Sequence, residues 1–207
     1  MPPEPTVFVV DDDRAMRDSL RWLLESVGLS VRTYPTAAAF LREYDPSHPG
    51  CLVLDIRMPG MSGLDLQAEL LRRGAGLPTI VVTGHAEVPM AVRAVKAGAV
   101  DFIEKPFSDQ LLLDRVRQAL ELDRQDREVR GRREEAVRRL ETLTAREREV
   151  LGLVVAGKAN KEIAVALGLS PKTVEVHRAH VMAKMAVDSL AELIRVAILA
   201  DAIRENP

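Results

Sequence analysis

Aromatic rings are scarce in this chain. Only 3% of its 207 residues are Phe, Trp or Tyr, so Leu, Val, Ile and Ala must fill whatever core it forms. The single cysteine, Cys51, sits inside an apolar run. One cysteine excludes an intramolecular disulfide framework, fits a reducing cytoplasm and reads as a small core residue. No run of about 18 apolar residues occurs, so no membrane span is expected. The opening Met1-Pro2-Pro3-Glu4 lacks a basic stretch followed by an apolar one, and no signal peptide is expected. An excess of one charge is missing too, since the net charge is −2. Basic and acidic residues number 13 and 16 over 1–120, 7 and 7 over 121–142, and 9 and 8 over 143–207. Any binding of nucleic acid must therefore rest on a few placed side chains rather than on bulk charge.

What is present is a regular alternation. Thr6–Val10 is a short β-branched apolar run that stops at Asp11-Asp12-Asp13. Further strand-like runs cover 29–34, 51–54, 79–82 and 100–104; the run 51–54 ends on Asp55 and the run 79–82 at Thr83-Gly84. Between and after them, 14–27, 36–44, 64–73, 87–97 and 108–121 carry helical spacing, with Gly28 and Gly98 as stops. Five strands alternating with five helices predict a parallel sheet covered on both faces, with ligands outside the carboxyl ends of the strands. Asp11, Asp12, Asp55, Thr83 and Lys105 all fall at those ends. Residues 122–138 are rich in Arg and Glu and read as a charged linker, helical on either side of Gly131. A weak seven-residue spacing joins Leu122, Val129, Ala136 and Leu143. From there the pattern is helical, with four helices near 145–156, 160–167, 171–185 and 189–202. Thr144 with Glu147 reads as a capping box, and Ser170-Pro171 as a helix start.

Three carboxylates in one pocket stay ionised only if a cation offsets them, and an all-oxygen donor set suits Mg²⁺. Such an ion screens an incoming phosphoryl group and lets the Asp55 carboxylate act as nucleophile. Lys105 supplies a point charge for a phosphate oxygen, and Thr83 a hydroxyl for another. Any one of these residues alone is weak; the full set in this order is not.

Residues 6–120 resemble the receiver domain of two-component response regulators, with Asp-Asp, Asp, Thr and Lys-Pro in order. The stretch Asp55-Ile56-Arg57-Met58-Pro59-Gly60-Met61-Ser62-Gly63 is similar to the family's phosphorylation loop. Thr83-Gly84-His85 and 97–107 resemble the FixJ branch. The resemblance implies a flavodoxin-like (CheY-like) α/β receiver. Within it, Asp55 accepts phosphate from a sensor histidine kinase, and Asp11, Asp12, Asp55 and the Arg57 backbone carbonyl hold Mg²⁺. It also implies a switch pair, Thr83 and Phe102, a phosphate contact at Lys105, and often a cis bond before Pro106. Dimerisation would use the surface of residues 87–105, with His85, Val92 and Lys96 as candidate members.

The second half carries Ala156-Gly157-Lys158-Ala159-Asn160-Lys161-Glu162-Ile163-Ala164, then Leu167, Ser170, Thr173-Val174 and His177. This resembles an all-α, four-helix LuxR-type helix-turn-helix domain. The expected boundaries are 5–121 for the receiver, 122–138 for the linker and 139–204 for the DNA-binding domain. Ile163, Ala164, Leu167, Val174, Val181 and Met185 form a core stripe, leaving Lys172, Thr173, Glu175, His177, Arg178 and Lys184 for the exposed side of the third helix. Lys161 and Lys172 suit phosphates; Thr173, Glu175 and Arg178 suit phosphates or base edges. His177 reads either as a contact or as a packing residue. The expected protein is a phosphorylation-switched, dimerising transcription activator that meets RNA polymerase. Three rival readings meet specific objections or tests. A haloacid-dehalogenase-type phosphohydrolase needs an acid two residues after the nucleophile, where Arg57 stands. A tail that binds a protein partner would show no salt-dependent duplex binding. A constitutive DNA binder with a dead receiver is at odds with the complete pocket set.

Overall fold

A computed structural model describes residues 3–84 and 88–204, and the chain divides into two units, 1–126 and 127–207. The first unit alternates β1 (Thr6–Val10), α1 (Arg14–Ser26), β2 (Ser30–Tyr34), α2 (Ala37–Glu43), β3 (Gly50–Leu54), α3 (Gly63–Arg72), β4 (Thr79–Thr83), α4 (Val88–Lys96) and β5 (Ala99–Glu104), followed by α5 (Asp109–Glu141). The strands make one parallel sheet in the order β2-β1-β3-β4-β5. β1, β3 and β4 are buried at every position, as central parallel strands covered on both faces must be. Alternation along the strands sorts the core into two layers. Val7, Val9, Val53 and Val82 pack with Leu20 and Leu24 of α1 and Leu112 and Val116 of α5. Phe8, Val10, Leu52 and Leu54 pack with Phe40 of α2 and Leu66 and Leu70 of α3. Cys51 is free and fully buried, and burial pushes its thiol far above the ordinary range.

The charged segment differs from its expected form. Gly131 does not divide it, for α5 runs unbroken from Asp109 to Glu141. A mid-helix glycine costs only about 1 kcal/mol relative to alanine. Pairs such as Glu128–Arg132, Glu134–Arg138 and Glu135–Arg139 offset it by a few tenths each. Nor is the segment uniformly solvated. Asp123 is 1% exposed, and its Oδ2 accepts the Gly50 backbone N–H at 2.9 Å. Leu122 and Val129 are exposed, whereas Ala136 and Leu143 are buried in the core of the second unit, so the seven-residue spacing does not mark one continuous face.

In the second unit α6 (Ala145–Val155), α7 (Asn160–Leu167), α8 (Pro171–Met185) and α9 (Leu190–Arg204) follow α5. Thr144 and Glu147 form the capping box of α6, and the Ser170 hydroxyl caps α8 with Pro171 in the first turn. Gly168 takes φ 65°, the left-handed turn that lets α8 leave α7 sharply. Ile163, Ala164, Val174, Val181 and Met185 are buried with Val150, Leu151 and Leu193, and Leu167 packs half-buried against them. Among the described residues, no helix is long and apolar enough to cross a membrane.

Candidate functional site

Strand register builds the acidic pocket. Val10 of β1 lies level with Leu54 of β3, so Asp11 and Asp55 leave the sheet at the same height, and Asp55 N–H donates to the Val10 carbonyl at 2.9 Å. On the other side Thr83 pairs with Glu104, and Lys105 N–H donates to the Thr83 carbonyl at 2.8 Å. The residues scattered in sequence thus meet at one end of the sheet. Ligand oxygens of Asp11, Asp12 and Asp55 lie within 4.8 Å of one another. Lys105 Nζ stands 2.8 Å from Asp11 Oδ2 and 3.6 Å from Asp55 Oδ2. Asp11 is 2% exposed and also accepts the Asp13 N–H at 2.8 Å. Asp13 itself does not join the pocket, since its carboxylate caps α1 by accepting from Ala15 and Met16.

Asp55 is electrostatically uncomfortable. Burial raises its carboxyl above the ordinary value, and neighbouring Asp11 adds to the rise; Lys105 and the backbone N–H groups of Arg57 and Ile56 oppose it. Its Oδ1 is buried and has no hydrogen-bond partner among the described residues. A buried, unpartnered carboxylate oxygen beside two further carboxylates is the donor set a hard divalent cation takes. Gly63, the first residue of α3, holds the loop in place: its N–H donates to the Ile56 carbonyl at 2.9 Å. A Cβ there would sit 2.1 Å from the Asp55 carbonyl oxygen.

Thr83 is buried at the end of β4. Phe102 is half-buried against the cluster of Ile56, Leu64, Val81 and Ala94, between sheet and α4. The Lys105–Pro106 bond is cis. Val92 and Lys96 are exposed on α4, and so is Val95, at 60%, which the sequence reading passed over. His85 lies outside the described residues.

On the helix-turn-helix, Lys161 of α7 and Lys172 and Glu175 of α8 are exposed, and Lys172 Nζ is 3.5 Å from Glu175. Thr173 donates its N–H to the Ser170 hydroxyl at 3.0 Å, and the two hydroxyls lie 2.8 Å apart. Arg178 Nη1 donates to Asn160 Oδ1 at 2.7 Å, so the first residue of α7 orients this guanidinium. His177 is half-buried, on the packing side of α8. Lys184 turns to Glu147, 2.6 Å away. That bond and the Thr144 N–H hold the Glu147 carboxyl down to about 2.

Comparison with known proteins agrees with both halves. Residues 7–117 match the response regulator receiver domain, and residues 141–197 match the bacterial regulatory proteins of the luxR family. The chain is 51% identical over 200 residues to the transcriptional regulatory protein FixJ of Azorhizobium caulinodans, covering 97% of this chain and 95% of that one. It is 45% identical over 190 residues to the response regulator protein TodT of Pseudomonas putida, covering 92% of this chain and 84% of that one. The solved structure of the response regulator StyR matches with a TM-score of 0.86 at 46% identity, over 94% of this chain and 98% of that one. The chain therefore belongs to the two-component response regulators that join a receiver to a LuxR-type helix-turn-helix domain. Within them it falls in the FixJ branch, whose members control transcription through the phosphorylation state of the receiver.

Proposed function

We propose that Asp55 is the phosphoryl acceptor. Its carboxylate oxygen attacks the phosphorus of a phosphohistidine on a sensor kinase, the P–N bond breaks, and an acyl phosphate forms. The observation that carries this reading is Lys105 Nζ poised within 4 Å of both Asp11 and Asp55 at the carboxyl ends of the strands. Asp11, Asp12, Asp55 and the Arg57 carbonyl would hold Mg²⁺, which when bound offsets the carboxylates and the incoming phosphate charge. Lys105 and the Thr83 hydroxyl then bind phosphate oxygens. Movement of Thr83 opens space for half-buried Phe102, and the α4–β5 surface changes. Exposed Val92, Val95 and Lys96, with His85, form the dimer face on this reading. Beyond self-phosphorylation and slow loss of phosphate, the chain catalyses nothing.

Dimerisation brings two weakly cationic helix-turn-helix domains to paired half-sites and multiplies their affinity. Lys161 and Lys172 meet phosphates, Glu175 and Arg178 meet phosphates or base edges, and bound dimers recruit RNA polymerase in the cytoplasm. Thr173 and His177 sit close to the same groove as capping and packing residues. The test is sedimentation and duplex binding, with and without a small phosphodonor plus Mg²⁺, on wild type and Asp55→Asn. Phosphodonor-dependent dimers with tighter DNA binding, absent in Asp55→Asn, support the switch. Equal dimerisation and binding in every condition sink it.

A further inference from the structure

The exposed pattern of α8 puts Lys184 with the DNA-facing cations, yet its surroundings are of another kind. Lys184 Nζ lies 2.6 Å from Glu147 Oε2 and 3.2 Å from the Thr142 carbonyl oxygen. The Glu147 side chain is only 5% exposed. The same Glu147 oxygen accepts the Thr144 N–H at 2.8 Å, closing the capping box of α6. One residue beyond Lys184, the Met185 carbonyl accepts from Arg139 Nη1 at 2.9 Å. The last turn of α8 is thus tied by charged side chains to the start of α6 and to the end of α5. Lys172, by contrast, stands in the first turn with an 86% exposed side chain. Twelve residues separate the two lysines, roughly 18 Å along the helix and a third of a turn around it. The end of a recognition helix that leads into the groove is the N-terminal one. Moving Lys184 to a phosphate would also take from a buried carboxylate its closest cation, which is unfavourable. Only the Thr144 N–H and the His180 ring, whose Nδ1 is 3.8 Å from Glu147 Oε1, would be left to it.

We infer that Glu147 and Lys184 are a positioning pair that fixes the seat of α8 on α6, and that Lys184 makes no phosphate contact. The inference rests on the reading of α8 as the DNA-binding helix. Glu147 then has two tasks in one side chain. It starts α6 by its cap, and it sets the angle at which α8 presents Lys172, Glu175 and Arg178.

The test is a salt titration of binding by the phosphodonor-treated full chain. The probe is a labelled duplex selected from random sequence by the wild type. Lys172→Gln, a phosphate contact, should lower the slope of log affinity against log salt by about 0.9. Lys184→Gln should leave the slope unchanged and weaken binding roughly tenfold, and Glu147→Gln should do the same. The double variant should be no weaker than either single one, as for two members of one interaction. The opposite result overturns the inference: a slope lowered by about 0.9 in Lys184→Gln, with Glu147→Gln binding more tightly because the lysine is released to phosphate. If Lys184→Gln does not fold, Glu147→Gln decides alone by the direction of its change, because glutamine can still close the capping box. A wild type that selects no duplex would sink the DNA-binding reading itself, a failure distinct from either result with the variants.

Discussion

Gly63→Ala is the sharpest probe of how the fold positions Asp55. Gly63 is the first residue of α3 and is not among the glycines with positive φ, so alanine meets no backbone penalty there. The obstacle is contact alone. The new methyl carbon would lie 2.1 Å from the Asp55 carbonyl oxygen and 3.0 Å from both the Asp55 carbonyl carbon and Ile56 Cα, all backbone. The closest approach is about 1.3 Å short of ordinary contact at 3.4 Å. No side chain can swing away to relieve it, so the loop carrying the Asp55 carboxylate must move by a distance on that order. Overpacking of this kind costs roughly 1–3 kcal/mol. Misplacing a reacting group by about 1 Å costs on the order of 100-fold in rate. The assay is the rate of phosphorylation by a small phosphodonor, read by gel shift, alongside the thermal midpoint. Leu71→Ala, a 65% exposed position on the same helix, serves as control. A Gly63→Ala protein phosphorylated within threefold of wild type, with an unchanged midpoint, would refute the argument that this close approach fixes the site.

Asp55→Asn should melt higher than wild type in chelator at neutral pH. The folded state raises the Asp55 carboxyl, so its ionised form opposes folding, and that opposition fades as pH falls through the folded value; calorimetry showing a lower midpoint would count against it. For Glu147 the sign is reversed. Its carboxyl falls from 4.5 to about 2 on folding, so its contribution is complete above 4.5 and lost as pH drops toward 2. The stability gap between wild type and Glu147→Gln, followed by far-ultraviolet circular dichroism, should close over that window, and a gap constant with pH refutes the assignment. Ile163→Ala, at a fully buried position, should cost about 2–5 kcal/mol and abolish duplex binding at 37 °C. Phosphorylation of the receiver should survive, and loss of both activities would contradict the two separate cores.

The pocket was readable because each of its members ends a strand-like run, and parallel register carries such ends to one place. Asp11, Asp12, Asp55, Thr83 and Lys105 needed only that rule. Asp13 shows its limit: a third acid in the same run caps α1 instead, a role that the helix start at Arg14 would have suggested. Composition misled more at α5, where a dense Arg and Glu segment hid a buried Asp123 whose partner is a backbone N–H 73 residues away. Gly131 reads as a break by propensity alone, and the i, i+4 ion pairs around it carry the helix through. Glu147 was legible as a cap, a relation spanning three residues, but not as the partner of Lys184, 37 residues on. Gly63 was legible only as the last residue of the stretch resembling the phosphorylation loop, since its importance lies in the Asp55–Ile56 backbone that approaches it just past β3.

The scarcity of aromatic rings has a spectroscopic consequence. Every Phe, Tyr and Trp of the chain lies between Phe8 and Phe107, within the first unit. Phe8, Tyr34, Phe40 and Tyr44 form one edge-to-face and stacked group over the sheet, whereas Trp22 stands 75% exposed on α1. The helix-turn-helix unit is therefore silent at 280 nm. Tryptophan emission follows the environment of α1, near-ultraviolet dichroism follows the packing of the receiver, and neither signal contains any contribution from the aliphatic core around Ile163. Set against far-ultraviolet dichroism, which sees the helices of both units, these receiver signals separate the unfolding of the two halves of the unlabelled protein, and a bound duplex can be titrated without a protein chromophore at the interface.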